Sequence, residues 1–418
     1  MPVEHIEALV VGAGQSGIVA SEHLTAYGIP HVVIERDRIA ERWRSERWDS
    51  LVANGPSWHD RLPEKEYDGL SSEEFASKDT IVEYLEDYAR EVQVPVRCGV
   101  DVTSLRCLPG ESGYRVETSD GDYQARFVIV ATGPFQRAVM PNVVPASSGL
   151  YQIHSKDYRN PKQLPEGGVL VVGSGSSGAQ IANELRRSGR QVHLSMSAHT
   201  RPPRTYRGRD IVWWMGVLGI WDQQTPSAGA DHVTLALSGA YGGWTVDFRN
   251  LAESGITLVG RTAAYDAGTL RFADGLKKTI ADGDAFYLKL LADADAYVDR
   301  NALDLPQDPD AWVLGEMPRC VSDPIRELDV HEAGITSIIW ATGYTYDFGW
   351  LHVDAVDENG QPRHERGISP EPGIYFVGLP WLSRRSSSFL CGVSGDARHI
   401  AEQISVRRRY LAHSPRTS

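Results

Sequence analysis

Three things are scarce in this 418-residue chain, and each scarcity removes a class of protein. Long hydrophobic runs are the first. No stretch approaches the roughly 20 apolar residues that cross a bilayer, so no membrane span is expected. Positive charge is the second. Lys and Arg number 42 against 55 Asp and Glu, the formal net charge is −13, and no basic stripe offsets it. That balance argues against nucleic acid and anionic membrane surfaces as partners, while an anionic cofactor needs only local positive charge. Cysteine is the third. Cys98, Cys107, Cys320 and Cys391 show no C-x-x-C spacing. They fit a cytoplasmic protein with buried, inert thiols, and neither a zinc site nor a redox-active pair. A strand expected from Ile6, with a glycine turn directly after it, leaves no room for a signal peptide.

What is present is an ordinary globular composition, 41% hydrophobic and 23% charged, long enough for two or three domains. One unit occurs twice, in "EALVVGAGQSGIVASEHL" and in "VLVVGSGSSGAQIANEL". Each is a branched apolar strand, a G-x-G-x-x-G turn and a helical pattern, the context in which that glycine triplet gains meaning. In such a unit the first glycine (Gly12, Gly173) makes the tight turn. The second (Gly14, Gly175) lets a pyrophosphate approach the backbone, and the third (Gly17, Gly178) lets helix and strand pack. The helix N-terminus adds N–H donors and partial positive charge.

The first helix is expected over Ile18–Tyr27, closed by Gly28, with "PHVVIER" as the next strand. The second runs through Arg187 to Gly189, then "QVHLSMS". Between the copies, "VDVTSL", "YRVETSDGDY" and "ARFVIVATG" alternate like a β-meander with its hairpin turn at Asp120-Gly121. "ITSIIWATGY", "GIYFVG" and a helix over about Asp396–Ser405 close the chain. No low-complexity linker separates these parts. The expected fold class is therefore α/β with two nested Rossmann-like dinucleotide-binding domains. The chain would cross between them at "ATG" 131–133 and "ATG" 341–343, giving a discontinuous domain (1–145 and 341–418) around an inserted one (146–340).

The copies diverge where a ribose would be read. Glu35, with Arg36 after it, ends the second strand of the first copy, and a carboxylate there accepts hydrogen bonds from a 2′-hydroxyl. The same offset in the second copy falls on Met196, between Ser195 and Ser197, with Arg201, Arg204 and Arg207 close behind. With no acid to repel a 2′-phosphate, and guanidinium groups to grip it, the second site is expected to hold NADPH rather than NADH. The first suits FAD. Gln15 and Ser16, and in the second copy Ser176 and Ser177, stand where side chain and backbone meet a pyrophosphate or cap the helix.

These residues resemble the flavin-containing monooxygenases, including the plant auxin-pathway enzymes and their bacterial relatives. The likeness covers most of the chain, through "GAGQSG", "IERDRIAERWRSERWDSL", "VATGPF", "GLYQIHSKDYRNP", "VVGSGSSG", "IIWATGYTYDFGWL" and "GIYFVGLPWL". The segment Gly149–His154–Tyr158 is similar to the family signature, with Ser147 in place of its leading aromatic and one extra residue before the histidine. The resemblance implies that NADPH reduces the flavin, that a C4a-hydroperoxyflavin forms with O2, and that it oxygenates a small molecule at nitrogen, sulfur or activated carbon.

In that reading Asn54, in "VANGPSWH", sits beside the flavin ring; alone it also fits an Asn-Gly turn. Trp43 walls the FAD or packs in the core, Asp396 presents the last helix to the flavin or caps it, and His154 links domains. Trp213, Trp214, Trp381 and Phe389 are pocket-wall or core aromatics. Arg384 and Arg385 suit an acidic substrate or plain surface charge. An NADPH oxidase or hydride-transfer reductase on the same scaffold, and a flavin redox sensor without turnover, stand as alternatives. Substrate identity and homo-oligomerisation are left open by the residues.

Overall fold

In the computed structural model, which describes residues 3–110, 112–224 and 235–413, both copies fold as strand, turn and helix. The chain begins with β1 (Glu4–Val11), α1 (Gln15–Ala26) and β2 (His31–Glu35), then α2 (Lys78–Glu91) and β3 (Val96–Cys98). A meander of β4 (Val102–Cys107), β5 (Tyr114–Thr118) and β6 (Gly121–Val130) follows. The inserted part holds β7 (Tyr151–His154), β8 (Gly168–Val172), α3 (Ser176–Arg187), β9 (Val192–Ser195), β10 (Ile256–Val259), α4 (Leu276–Asn301) and β11 (Ile335–Trp340). The chain then returns through β12 (Ile374–Phe376) to α5 (Val393–Leu411).

Two sheets result. The first has the order β3-β2-β1-β6-β5-β4, with β12 also on β6. The long β6 pairs antiparallel with β5 along its first half and parallel with β12 along its second, so the returning chain completes the first sheet. The second sheet, β10-β9-β8-β11-β7, is parallel throughout. Its central strands "GVLVV" and "ITSIIW" are buried along almost their whole length because both faces are covered. In the first sheet, Val10, Val33 and Phe127 pack beneath Ile18 and Leu24 of α1 and Ile400 and Ile404 of α5. Leu9, Ile34, Val128 and Phe376 face the opposite core. The fold class is thus the expected one, α/β with two dinucleotide-type sheets.

Three local expectations shift. The hairpin turn is Ser119-Asp120, because Thr118 already pairs with Gly121 and opens β6 from there. The helix α5 begins at Val393 rather than near Asp396, its first amide donating back to the Phe389 carbonyl at 3.0 Å. And none of the four cysteines is buried: Cys98 and Cys107 are exposed, Cys320 and Cys391 half-buried, all four free thiols. Cys98 and Cys107 end short outer strands, where one face has no cover. Among the described residues no helix is long and apolar enough to cross a membrane.

Candidate functional site

The two turns show why glycine is needed at each place. A Cβ on Gly17 would lie 1.8 Å from the Gly12 carbonyl oxygen, and one on Gly178 would lie 1.8 Å from that of Gly173. Only glycine lets these helices pack on their strands. Gly12 and Gly173 take φ of +107° and +115°, a region closed to most side chains. A Cβ on Gly14, by contrast, would meet nothing within 4 Å. Helices α1 and α3, 12 residues each, have no side-chain cap and no acid in the first turn. Each therefore presents uncompensated N–H donors beside open space, the donor set a pyrophosphate requires. The serines do not cap: Ser176 Oγ donates to the Leu235 carbonyl (2.8 Å) and accepts from the Leu237 amide (3.0 Å), fixing the loop above the second turn.

Both turns open into one cavity of about 1490 Å³. Gly12, Gly14, Gln15, Ser16, Glu35, Arg36, Trp43 and Asn54 line it with Gly173, Gly175, Ser176, Ser177 and Gly178. At the first turn, Glu35 accepts from the Ala13 amide (2.7 Å) and the Asp37 amide (3.0 Å). A carboxylate has about four acceptor positions, so two are left for a ribose. Gln15 bridges Trp43 Nε1 and the Ser388 carbonyl, tying both walls to the turn.

Asn54 is held with its amide assigned by the network around it. Gln180 Nε2 contacts the Leu237 carbonyl (2.7 Å) and Asn54 Oδ1 (2.9 Å). A carbonyl only accepts, so the Gln180 atom is the nitrogen and the Asn54 atom facing it must be oxygen. Asn54 Nδ2 then has two donors and meets no acceptor among the described residues. The next residue is braced too: the Gly55 amide donates to Asp60 Oδ2 (2.7 Å), while Asp60 Oδ1 meets His59 Nδ1 (2.7 Å). Burial disfavours the His59 cation, but Asp60 and the Cys391 thiol outweigh it and raise its pKa to about 10.

Several expected site residues stand elsewhere. Arg201 is 2% exposed, bound to Asp284 (2.7 Å) and Asp247 (3.1 Å), and stacked on Tyr287. Arg204 pairs with Asp210 and donates to the Asn54 carbonyl (2.6 Å), so it positions the Asn54 turn. Arg207 pairs with Asp295. None of the three lines the cavity, because carboxylates already hold their guanidinium groups away from it. Asp396 is also off the cavity wall, buried in the first turn of α5 and accepting from Ser383 Oγ. Gly17 acts in packing alone. Trp214 is core, its Nε1 on the Tyr206 carbonyl, and Trp213 packs edge-on against it; Trp221 takes the wall with Trp381 and Phe389. His154 accepts from the Lys156 amide at Nδ1 and donates from Nε2 to the Gly343 carbonyl (3.0 Å). Burial lowers its pKa, so it is a neutral structural tie.

Arg384 pairs with Asp222, whereas Arg385 lines the cavity, stacks on Trp381 at 4.8 Å and has a buried, unpartnered Nε. Gln180, Asp60 and Arg261 are the residues that sequence reasoning missed. Gln180 and Arg261 reach the site through pairings distant in sequence, Asp60 through the turn at Gly55, and no motif marks any of them.

This arrangement, two dinucleotide-type cradles on separate sheets sharing one cavity, defines a two-nucleotide oxidoreductase fold. A family model described as pyridine nucleotide-disulphide oxidoreductase matches residues 9–208. An uncharacterized CzcO-like oxidoreductase of Geobacillus kaustophilus is 31% identical over 408 residues, 96% of this chain and 99% of that one. The probable indole-3-pyruvate monooxygenase YUCCA1 of Arabidopsis thaliana is 26% identical, over 95% of this chain and 89% of its own. Among solved structures, a flavin-containing monooxygenase from Stenotrophomonas maltophilia matches with a TM-score of 0.68 at 19% identity, over 97% and 100% of the two chains. The chain belongs to the flavin-containing monooxygenase family, enzymes that use FAD and NADPH. It is a flavoprotein oxidoreductase.

Proposed function

We propose that this enzyme is an NADPH-dependent FAD monooxygenase that transfers one oxygen atom of O2 to nitrogen, sulfur or an activated carbon of a small molecule. The observation that carries the reading is the single cavity reached by both glycine turns and walled by Asn54. Residues 1–145 with 341–418 would hold FAD, and residues 146–340 NADPH. In the first cradle the open side of Gly14 and the first-turn amides at Gln15 and Ser16 would take the pyrophosphate. Glu35 would take the ribose, with Arg36 and Trp43 flanking it. In the second cradle Gly175 and the amides at Ser176 and Ser177 take the corresponding place.

A bound flavin would supply hydride acceptance from NADPH and activation of dioxygen at C4a. The chain's own part is positioning and dryness. Asn54, fixed by Gln180 and Arg204, offers a directed Nδ2 donor to an oxygen in the cavity. Trp221, Trp381 and Phe389 narrow the wall and exclude water from a peroxide-level oxidant. His154, neutral with both nitrogens engaged, moves no proton.

The purified protein should be yellow and should oxidise NADPH faster when an acceptor is present. Under heavy-isotope O2, one labelled oxygen should appear in the product. Peroxide without labelled product would favour an NADPH oxidase instead. Absence of flavin after reconstitution with FAD would overturn the reading altogether.

A further inference from the structure

The structure removes the three arginines that the sequence offers to a 2′-phosphate, and it supplies another. The two cradles can be aligned by their own hydrogen bonds. Gly12 N–H donates to the Ile34 carbonyl (2.8 Å) and Gly173 N–H to the Ser195 carbonyl (3.0 Å). Ser195 therefore occupies the place of Ile34, Met196 that of the ribose-facing Glu35, and Ser197 that of Arg36. Met196 is buried and uncharged, so nothing at that position repels a phosphate.

The neighbouring strand brings the charge. Ser195 pairs with Val259, and the Met196 amide donates to the Val259 carbonyl (2.9 Å), so the chain leaving β10 runs beside residues 195–197. That exit is clamped. Ser195 Oγ donates to the Gly260 carbonyl (3.0 Å) and accepts from the Thr262 amide and hydroxyl (2.9 Å each). Between these clamps stands Arg261, whose carbonyl accepts from the Ala273 amide (2.8 Å). Its side chain is exposed and lines the cavity with Ser197, and no hydrogen bond or ion pair of its guanidinium is found among the described residues. An arginine on a rigid backbone, unpaired, beside an acid-free ribose position, has the geometry and chemistry of a phosphate reader.

We propose that Arg261, with the Ser197 hydroxyl as a second donor, binds the ribose 2′-phosphate of the nicotinamide nucleotide and sets the preference for NADPH over NADH. The assignment rests on NADPH occupying the second cradle. Calorimetric titration of the flavin-loaded enzyme with 2′,5′-ADP and with 5′-AMP separates the two statements. The wild type should bind 2′,5′-ADP more tightly. Arg261→Ala should weaken 2′,5′-ADP about 10- to 100-fold, the loss of a charge-assisted contact, and leave 5′-AMP unchanged. Arg261→Lys should keep part of the difference. The NADH-to-NADPH ratio of KM should fall by a similar factor, with kcat and flavin content unaltered. A wild type that prefers 2′,5′-ADP while Arg261→Ala and Arg261→Gln retain the full preference overturns the role of Arg261 alone. A wild type that binds neither nucleotide overturns the occupancy of the second cradle, and this proposal with it.

Discussion

Replacing Gln180 with leucine tests whether Asn54 works as a positioned donor. Gln180 is buried, and its one Nε2 group serves two acceptors, the Leu237 carbonyl and Asn54 Oδ1. Leucine is close in volume but donates nothing, so both acceptors lose their partner. At about 0.5–1.5 kcal/mol for each lost hydrogen bond, the fold should lose roughly 1–3 kcal/mol, read by chemical denaturation. The functional effect should be more specific. Without Gln180 the Asn54 amide can rotate by half a turn, and its Nδ2 donors face the cavity only part of the time. Flavin reduction by NADPH, which does not need that donor, should keep its rate in stopped flow. Oxygenated product per NADPH should fall about 3- to 10-fold, with peroxide rising to match, since each ~1.4 kcal/mol of lost stabilisation is tenfold in rate. Asn54→Ala should uncouple to at least the same degree. In the double variant the second change should add almost nothing, a coupling of roughly 1 kcal/mol or more. Additive effects within about 0.5 kcal/mol, or an unchanged product-to-peroxide ratio in Gln180→Leu, would refute the reasoning.

Three further outcomes follow from the charge networks. Burial works against the Asp284 carboxylate, but hydrogen bonds and charge from Arg249 and Arg201 hold its pKa below the usual range. Its stabilisation is therefore full above about pH 4 and is lost as pH falls through the folded value. Asp284→Asn should cost about 3–5 kcal/mol at neutral pH, because buried Arg249 loses its carboxylate and buried Arg201 keeps only Asp247, and should flatten the acid limb of stability. An unchanged melting temperature, with only NADPH affinity reduced, would return Arg201 to the nucleotide site. His59, raised to about 10, should stay protonated by NMR across about pH 6–9, its contribution present below about pH 6.5 and lost as pH rises through the folded value. Asp60→Asn should bring its titration down sharply, and no change would exclude the pair as the cause. Arg385→Gln should raise KM about tenfold for acceptors bearing a carboxylate and leave neutral analogues unaffected. Equal effects on both would show the guanidinium to be structural.

The strand–turn–helix units were legible because their cause is local. Glycine at 12, 17, 173 and 178 is demanded by atoms within the same turn and its adjoining strands, and the Glu35–Met196 contrast follows from a fixed offset within each unit. Charge was not legible in the same way. Arg204 is held by Asp210 just after it, but Arg201 and Arg207, which follow the second unit as closely in sequence, have partners Asp247, Asp284 and Asp295 from distant segments, the last two from α4. Nothing local to "RPPRTYR" announces those acids. Arg261 shows the converse. It is remote from the motif in sequence, and only the pairing of β9 with β10 carries it to the ribose position. Gln180 lies in plain view on α3, but its work is to join Asn54 and Leu237, and that is a property of packing.

The two crossings help to hold cradles on separate sheets against one cavity. Residues 137–138 and 344–345 form an antiparallel ladder, extended by the Val139 amide on the Gly343 carbonyl (3.0 Å). Thr342 Oγ1 donates to the Val139 carbonyl, and the Asp347 amide to Gln136 Oε1 (2.6 Å). His154, at the end of β7, ties the same Gly343 carbonyl to the second sheet. The outgoing and returning strands are thus bonded to each other directly after β6 and β11, the strands that flank the two turns. The Ala131 and Ala341 carbonyls each stand under a first glycine, within 2.7 Å and 2.4 Å of where its Cβ would be. The ladder therefore adjoins the residues packed beneath both turns. Cradle spacing in this fold thus rests on backbone hydrogen bonds at the crossings together with the packing of Trp48 and Leu51 in the second sheet's core, and the side chains around the cavity are left to determine what is oxidised.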